Sequence, residues 1–241
     1  MGIHILPFVI VTLCIFFAGH VEAAVFTITN NCPYQIWPAT LTETGNPTLT
    51  GFELAPQASN TFDIPSPWSG RFWARTQCSS ASGRFTCLSG ECNSGQVECN
   101  GNGATPPASL AKFTLAGSDG QDFYDVSLVD GFNLPVSINP DNAICPSTSC
   151  PTDINPGCPR QLAVTDANGG IIGCRSACAA FNEPRYCCTG DFSTPETCPP
   201  TEYSQIFKNQ CPEAESYEYD DEITSTFTCP SGANYRITFC P

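Results

Sequence analysis

Sixteen cysteines stand downstream of an apolar leader in this chain, and they constrain its fold more tightly than any pattern of hydrophobicity. The leader, Ile3–Phe17, is too short to span a bilayer, and Val21-Glu22-Ala23 offers small residues for cleavage. The sequence therefore predicts an export signal over residues 1–23, cut after Ala23. A retained membrane anchor is the alternative, because the leader has no Lys or Arg and only His4 beside the amine. Its removal takes away Cys14, both histidines (His4 and His20), the only methionine and Glu22. The remainder carries an even number of cysteines, no histidine, and 22 acids against 9 bases, a net charge of about −13. An even cysteine set behind an export signal implies a disulfide framework assembled in an oxidising, extracellular compartment. Irregular spacings and the lack of histidine argue against a metal site, and no cofactor is implied.

At about 218 residues the mature chain suits one large domain with disulfide-rich insertions. Its 22 prolines and 19 glycines predict short strands joined by turns. Alternation predicts a first strand at Ala24–Asn30, then strands at Tyr34–Trp37 (ended by Pro38), Phe52–Leu54, Asn60–Ile64 and Gly70–Thr76. Thr40–Pro47 reads as a polar loop. In Gly70–Thr76, Arg71, Trp73 and Arg75 share one face, while Phe72 and Ala74 take the other. Cys78–Cys99 packs four cysteines among small polar residues and has too little apolar pattern to bury a core without local bridges. Strands return at Lys112–Leu115 and Phe123–Val129. Cys145–Cys211 holds nine cysteines, with helical turns predicted only at Ser176–Phe181 and Tyr203–Lys208. Thr224–Thr228 and Asn234–Phe239 form a last pair of strands. Together these predict a mainly β sandwich or barrel.

The chemistry is narrowed by what is missing. Without histidine there is no Ser-His-Asp or Cys-His nucleophile and no His-ligated metal. The negative charge excludes a general binder of nucleic acid or anionic membrane, and no later stretch is apolar enough for stable membrane insertion. What remains is carboxylates and arginines, concentrated around Gln121–Pro135, where Asp122, Asp125 and Asp130 interrupt an apolar alternation that breaks at Asp130-Gly131. Paired carboxylates are the equipment of glycoside hydrolysis, and an acidic groove lined by Trp73, Phe123, Tyr124 and Phe132 also suits a neutral sugar without cleaving it. Asp125 and Asp130 differ in parity, so they share a cleft only if the strand bulges or turns between them. Otherwise they are solvated loop acids.

The run Gly83–Cys99, GRFTCLSGECNSGQVEC, closely resembles the signature of the thaumatin-like proteins, the plant pathogenesis-related group five. NNCPYQIWP, FYDVSLVDGFN, YCC at Tyr186–Cys188, TSTFTCP and NYRITFCP resemble the same family, and the likeness covers the whole mature chain. It is similar to the acidic, fruit-type members. The pattern usually reads G-x-F-x-C-x-T-G-D-C, so Ser89 and Glu91 depart from it mildly. The resemblance implies eight bridges: Cys32–Cys240, Cys78–Cys87, Cys92–Cys99, Cys145–Cys229, Cys150–Cys211, Cys158–Cys174, Cys178–Cys187 and Cys188–Cys198. It implies an antiparallel β-sandwich core (24–75, 107–151 and 212–241), a disulfide-rich loop-and-helix lobe (152–211) and a small stapled lobe (76–106). A cleft is expected between the sandwich and the larger lobe.

By the same resemblance the cleft is one arginine with four acids. The arginine falls on Arg71, the central aspartates on Asp125 and Asp130, and the last acid on Asp220, with Asp221 beside it. The remaining family acid is the glutamate of Leu-Ala-Glu, where this chain has Leu110-Ala111-Lys112. An ammonium cannot act as a carboxylate, and beside the aspartates it is expected to hold them ionised. Hydrolysis is therefore expected to be weak or absent, with Asp125 and Asp130 the candidates for any that survives. The run Cys211–Asp221, CPEAESYEYDD, adds Glu213, Glu215 and Glu218 to the usual CPDAYSYAYDD. These are expected to be solvated surface acids, with a displaced carboxylate that offsets Lys112 as the alternative. The resemblance implies a secreted, apoplastic, monomeric defence protein that binds β-1,3-glucan of fungal walls through Arg71, Lys112, Asp125, Asp130 and Asp220. A weak endo-β-1,3-glucanase and a membrane-perturbing or receptor-binding antifungal are the rivals.

Overall fold

A computed structural model describes residues 23–241, so residues 1–22 of the predicted export signal, with Cys14, lie outside the described residues, while Ala23 begins the first strand. Thirteen strands follow in order: β1 (Ala23–Asn30), β2 (Trp37–Thr44), β3 (Ser59–Pro65), β4 (Trp68–Ala81), β5 (Arg84–Ser89), β6 (Leu110–Leu115) and β7 (Gln121–Ser127). Then come β8 (Val136–Pro140), β9 (Thr148–Cys150), β10 (Ala163–Thr165), β11 (Ile171–Cys174), β12 (Phe227–Pro230) and β13 (Tyr235–Phe239). The helices are short: α1 (Ala177–Phe181), α2 (Pro184–Cys187), α3 (Glu202–Gln210) and α4 (Glu222–Ser225). None is long and apolar enough to cross a membrane.

One large sheet runs β3-β1-β13-β8-β9 and a second β12-β7-β6-β4-β2, with β5 paired to the far end of β4, while β10 and β11 form a separate pair. The pairings are antiparallel except one, since β1 and β13 run parallel. The two sheets are held face to face by an aromatic core. The Phe26 ring on β1 lies 4.9 Å from Phe113, 5.2 Å from Phe72 and 5.4 Å from Tyr235, centroid to centroid. Phe72 and Phe113 come from the second sheet, so this one side chain bridges both layers.

The eight bridges are the pairs that the resemblance implies. Cys32–Cys240 spans 208 positions and ties the ends of β1 and β13 together. The local bridges Cys78–Cys87 and Cys92–Cys99 staple the hairpin of β4 and β5 and the loop after it.

Several expectations are corrected. Pro38 does not end a strand; it lies inside β2, opposite Ala74. Strand β2 is at the sheet's edge, where a missing N–H costs no ladder bond. The strand then continues through Thr44, across the predicted polar loop, because Ala39 and Thr40 are buried against β4. Residues 224 and 225 belong to helix α4, not to a strand. Asp221 accepts from the Ile223 N–H at 3.0 Å and caps that turn, outweighing the β propensity of Ile-Thr. Strand β4 reaches Ala81, beyond the expected end at Thr76, and pairs with β5. Strand β8, unanticipated, sits beside β13 in the middle of its sheet.

Residues Arg71, Trp73 and Arg75 do share one face of β4, but only Arg71 stays open to solvent. The Trp73 indole donates to Gly90 O at 2.8 Å. Arg75 is fully buried, donates to Trp37 O at 3.1 Å and Val97 O at 2.5 Å, and lies over the Phe85 ring. Burial lowers its guanidinium to about 10, against the raising influence of Glu91 and Glu98. The small lobe is thus nailed to β4 by an arginine and an indole.

Phe26→Ala is expected to lower unfolding stability by about 3–5 kcal/mol in denaturant titrations with the disulfides intact. A loss below about 1 kcal/mol would show that the two sheets do not depend on this ring.

Candidate functional site

Strand register builds the site. Arg71 on β4 lies opposite Lys112 on β6, and Lys112 lies opposite Asp125 on β7. Neighbouring strands are about 4.8 Å apart, so the three side chains form one row across the sheet. Two adjacent cations repel, and each is drawn to an acid. Arg71 pairs with Glu43 on β2. The Lys112 ammonium lies 2.8 Å from Glu215 Oε2 and 3.4 Å from Asp125 Oδ2.

Glu215 is the residue that the sequence reading placed in solvent. The structure instead realises the displaced carboxylate. Its N–H donates to Val126 O at 2.9 Å, and its carbonyl accepts from Leu128 N–H at 2.7 Å. These bonds lay the Cys211–Ser216 segment along the end of β7, while Glu213 and Glu218 remain exposed. The one available signal was the exchange of charge itself, a lysine for the family glutamate and a glutamate for the family tyrosine.

Asp130 reaches the same region through a turn. Strand β7 stops at Ser127, and the Gly131 N–H donates back to Leu128 O at 2.8 Å. Gly131 has φ +93°, and a Cβ there would meet Cys174 O at 2.4 Å, so only glycine fits. The turn brings Asp130 under the influence of the charges that act on Asp125, namely Arg71, Lys112 and Glu215, but Asp125 lines the groove and Asp130 a separate, larger cavity. Asp220 stands apart. Its Oδ2 accepts from the Ser216 N–H (2.7 Å) and hydroxyl (2.8 Å) and pairs with Lys208 at 3.1 Å. It fixes the loop that delivers Glu215. Asp122 is also structural, buried and bonded to Tyr235, Ser231 and the Ala116 N–H.

Two depressions flank this charge cluster. A groove of about 110 Å³ is lined by Glu43, Arg71, Lys112, Phe123 and Asp125. A larger cavity of about 360 Å³ contains Asp130 and is walled by Ser176, Arg185, Tyr186, Tyr217 and Glu218. Of the aromatics expected around the acids, Trp73, Tyr124 and Phe132 are buried in the core, and Phe123 alone lines the groove.

Burial pushes Asp125 up to about 6; Lys112 pulls it down, and Glu215 pushes it up again. Asp130 is raised mainly by burial, against Arg71 and Lys112. Desolvation alone would lower Lys112, but Asp125 and Glu215 outweigh it and raise the ammonium above its ordinary value. The expectation that Lys112 holds the aspartates ionised is therefore half right: its influence has that sign, but desolvation prevails. Arg71 Nε and Asp125 Oδ2 are buried without a hydrogen-bond partner. Among the described residues no group of three His, Cys, Asp or Glu side chains is placed to hold a metal ion.

The family model described as "Thaumatin family" matches residues 30–241. The chain is 57% identical over 235 residues to Thaumatin-like protein 1a of Malus domestica, covering 95% of each. It is 56% identical over 235 residues to a protein of Prunus avium named glucan endo-1,3-beta-glucosidase, covering 95% of this chain and 96% of that one. Among solved structures it resembles a GH family 64 laminaripentaose-producing beta-1,3-glucanase from Paenibacillus barengoltzii. The TM-score is 0.57 at 13% identity, covering 90% of this chain and 75% of that one, a likeness of fold.

A carboxyl raised from 3.8 to about 6 binds more protons folded than unfolded between those values. Its contribution to stability is present below about pH 4 and is lost as pH rises through about 6. Asp125→Asn is therefore expected to gain on wild type across that window, reaching on the order of 2–3 kcal/mol at pH 7. Denaturant unfolding at pH 4, 5, 6 and 7 checks this; a constant difference would contradict it.

Proposed function

The chain belongs to the thaumatin family, and from that membership we propose that it is a secreted defence protein that binds β-1,3-glucan of fungal walls in its charged cleft. The observation that carries the reading is the Arg71–Lys112–Asp125 row, whose three charged side chains line the groove. A sugar hydroxyl both donates and accepts, so a surface that mixes cations and carboxylates matches a neutral polyol better than any single-sign ligand. Phe123 at the groove and Tyr186 and Tyr217 at the cavity offer apolar faces for pyranose rings. In this reading Arg71, Lys112, Asp125 and Asp130 face the glucan, and Asp220 braces the loop behind them. Eight disulfides suit secretion to the apoplast, and the protein acts as a monomer. Residues 24–75, 107–151 and 212–241 serve as the sandwich body, 152–211 as the lobe that walls the cavity, and 76–106 as the stapled accessory lobe.

Binding is proposed without efficient cleavage. Hydrolysis needs one carboxyl to protonate the leaving oxygen and another to attack or activate water. Here the ammonium of Lys112 pairs with both Asp125 and Glu215 and neutralises what would be such a pair. The Glu215 carboxylate is also the observation that favours the second reading, a weak endo-β-1,3-glucanase.

Laminarin binding and release of reducing sugar, measured on the same sample of wild type and Lys112→Glu, test this. Wild type is expected to be retained on insoluble β-1,3-glucan without releasing sugar, while Lys112→Glu gains at least about tenfold in turnover. Hydrolysis by wild type would overturn the non-catalytic reading. Permeabilisation of fungal cells at saturating soluble glucan would favour a sugar-independent antifungal.

A further inference from the structure

Glu215 arrives from outside the strands of the sheet, across 103 sequence positions from Lys112. Its placement does not depend on its side chain. The bonds to Val126 O and from Leu128 N–H fix its backbone in a parallel bridge beside Ser127. From there the carboxylate takes the Lys112 ammonium at 2.8 Å, in hydrogen-bonding geometry. Asp125 is left at 3.4 Å, with Oδ2 lacking a hydrogen bond although it is closed off from water. The ammonium thus hydrogen-bonds the remoter acid and only ion-pairs, at the longer distance, with the nearer one in register, whose side chain lines the groove.

We propose that Glu215 is a positioning residue that draws the Lys112 ammonium away from Asp125 and so keeps the Asp125 carboxylate available to a ligand hydroxyl. This rests on the reading that the groove binds glucan. Three charged groups face Asp125, and they come from three elements: Arg71 on β4, Lys112 on β6 and Glu215 on the segment after α3. Arg71 is held off by Glu43. The balance at Asp125 is therefore struck between Lys112 and Glu215. Without the Glu215 charge, Lys112 has Asp125 as its one remaining anionic partner and closes onto it. Two effects then have the same sign. The negative charge that opposes ionisation of Asp125 is gone, and the positive charge that favours it is nearer. Asp125 titrates lower and its acceptor is occupied.

The test is Glu215→Gln, which keeps the side chain's shape and every backbone bond, with Glu215→Gln/Lys112→Met as the second variant. Carboxyl carbon titration by NMR and laminarin affinity are read on both and on wild type. Glu215→Gln is expected to move the Asp125 midpoint below the wild-type value and to weaken laminarin binding about tenfold. The double variant, with no ammonium to close on Asp125, is expected to bind more tightly than Glu215→Gln alone. An unchanged Asp125 midpoint in Glu215→Gln overturns the proposal, as does a double variant that binds no better than the single one. If Glu215→Gln does not fold, the same titration on Glu215→Asp decides, since a shorter carboxylate that still holds Lys112 must leave the midpoint closer to that of wild type than Glu215→Ala does. A wild type that ignores laminarin, combined with a lowered midpoint in Glu215→Gln, supports the positioning role and overturns the glucan reading instead.

Discussion

The hydrogen-bonded ladder of β4 is the constraint on which the rest of the molecule depends. This 14-residue strand pairs with β2 and β6 along its first half and with β5 along its second. Its alternation divides two interiors. Trp68, Phe72 and Ala74 enter the main core, while Trp73 joins the smaller cluster with Cys92, Cys99 and Leu110. Arg71 and Arg75 share the Trp73 face yet meet opposite fates, one at the groove and one sealed under the small lobe. A shift of one residue in this register would exchange the two faces, putting guanidinium groups into an aromatic core.

The same register makes the charged row an exercise in compensation. A lysine between an arginine and an aspartate puts two cations side by side on the sheet. The structure relieves this by recruiting acids from both flanks, Glu43 from the edge strand and Glu215 from the far segment. Such pairs, partly exposed, add little to stability. Their effect is on geometry: they decide which way each long side chain lies and which oxygen is left without a partner.

How much of this was legible follows from the range of each interaction. The cysteine set and the period-two alternation of Ala24–Asn30 announce bridges and strands, because both signals are carried by the residues involved. Family motifs singled out Arg71, Asp125 and Asp130, and the glycine after Asp130 marked the turn that follows β7. Pro38 misled because a proline is harmless only on an edge strand, and being at an edge is a property of the assembled sheet. Ile223-Thr224 misled because a cap from Asp221 outweighed side-chain preference. Glu215 looked like one acid among three, since nothing local separates it from Glu213 and Glu218. Only the backbone pairing to β7 singles it out.

The bridge between Cys32 and Cys240 turns nearly all of the described chain into a covalent ring. A protease that cuts one surface loop inside that ring opens it without releasing a fragment, and the molecule gains only the mass of a water. Two cuts free nothing either when one of the other seven bridges links the severed piece to the remainder. Nicking and loss of material thus become separate events. Reduction, rather than proteolysis, is then the step that takes the molecule apart.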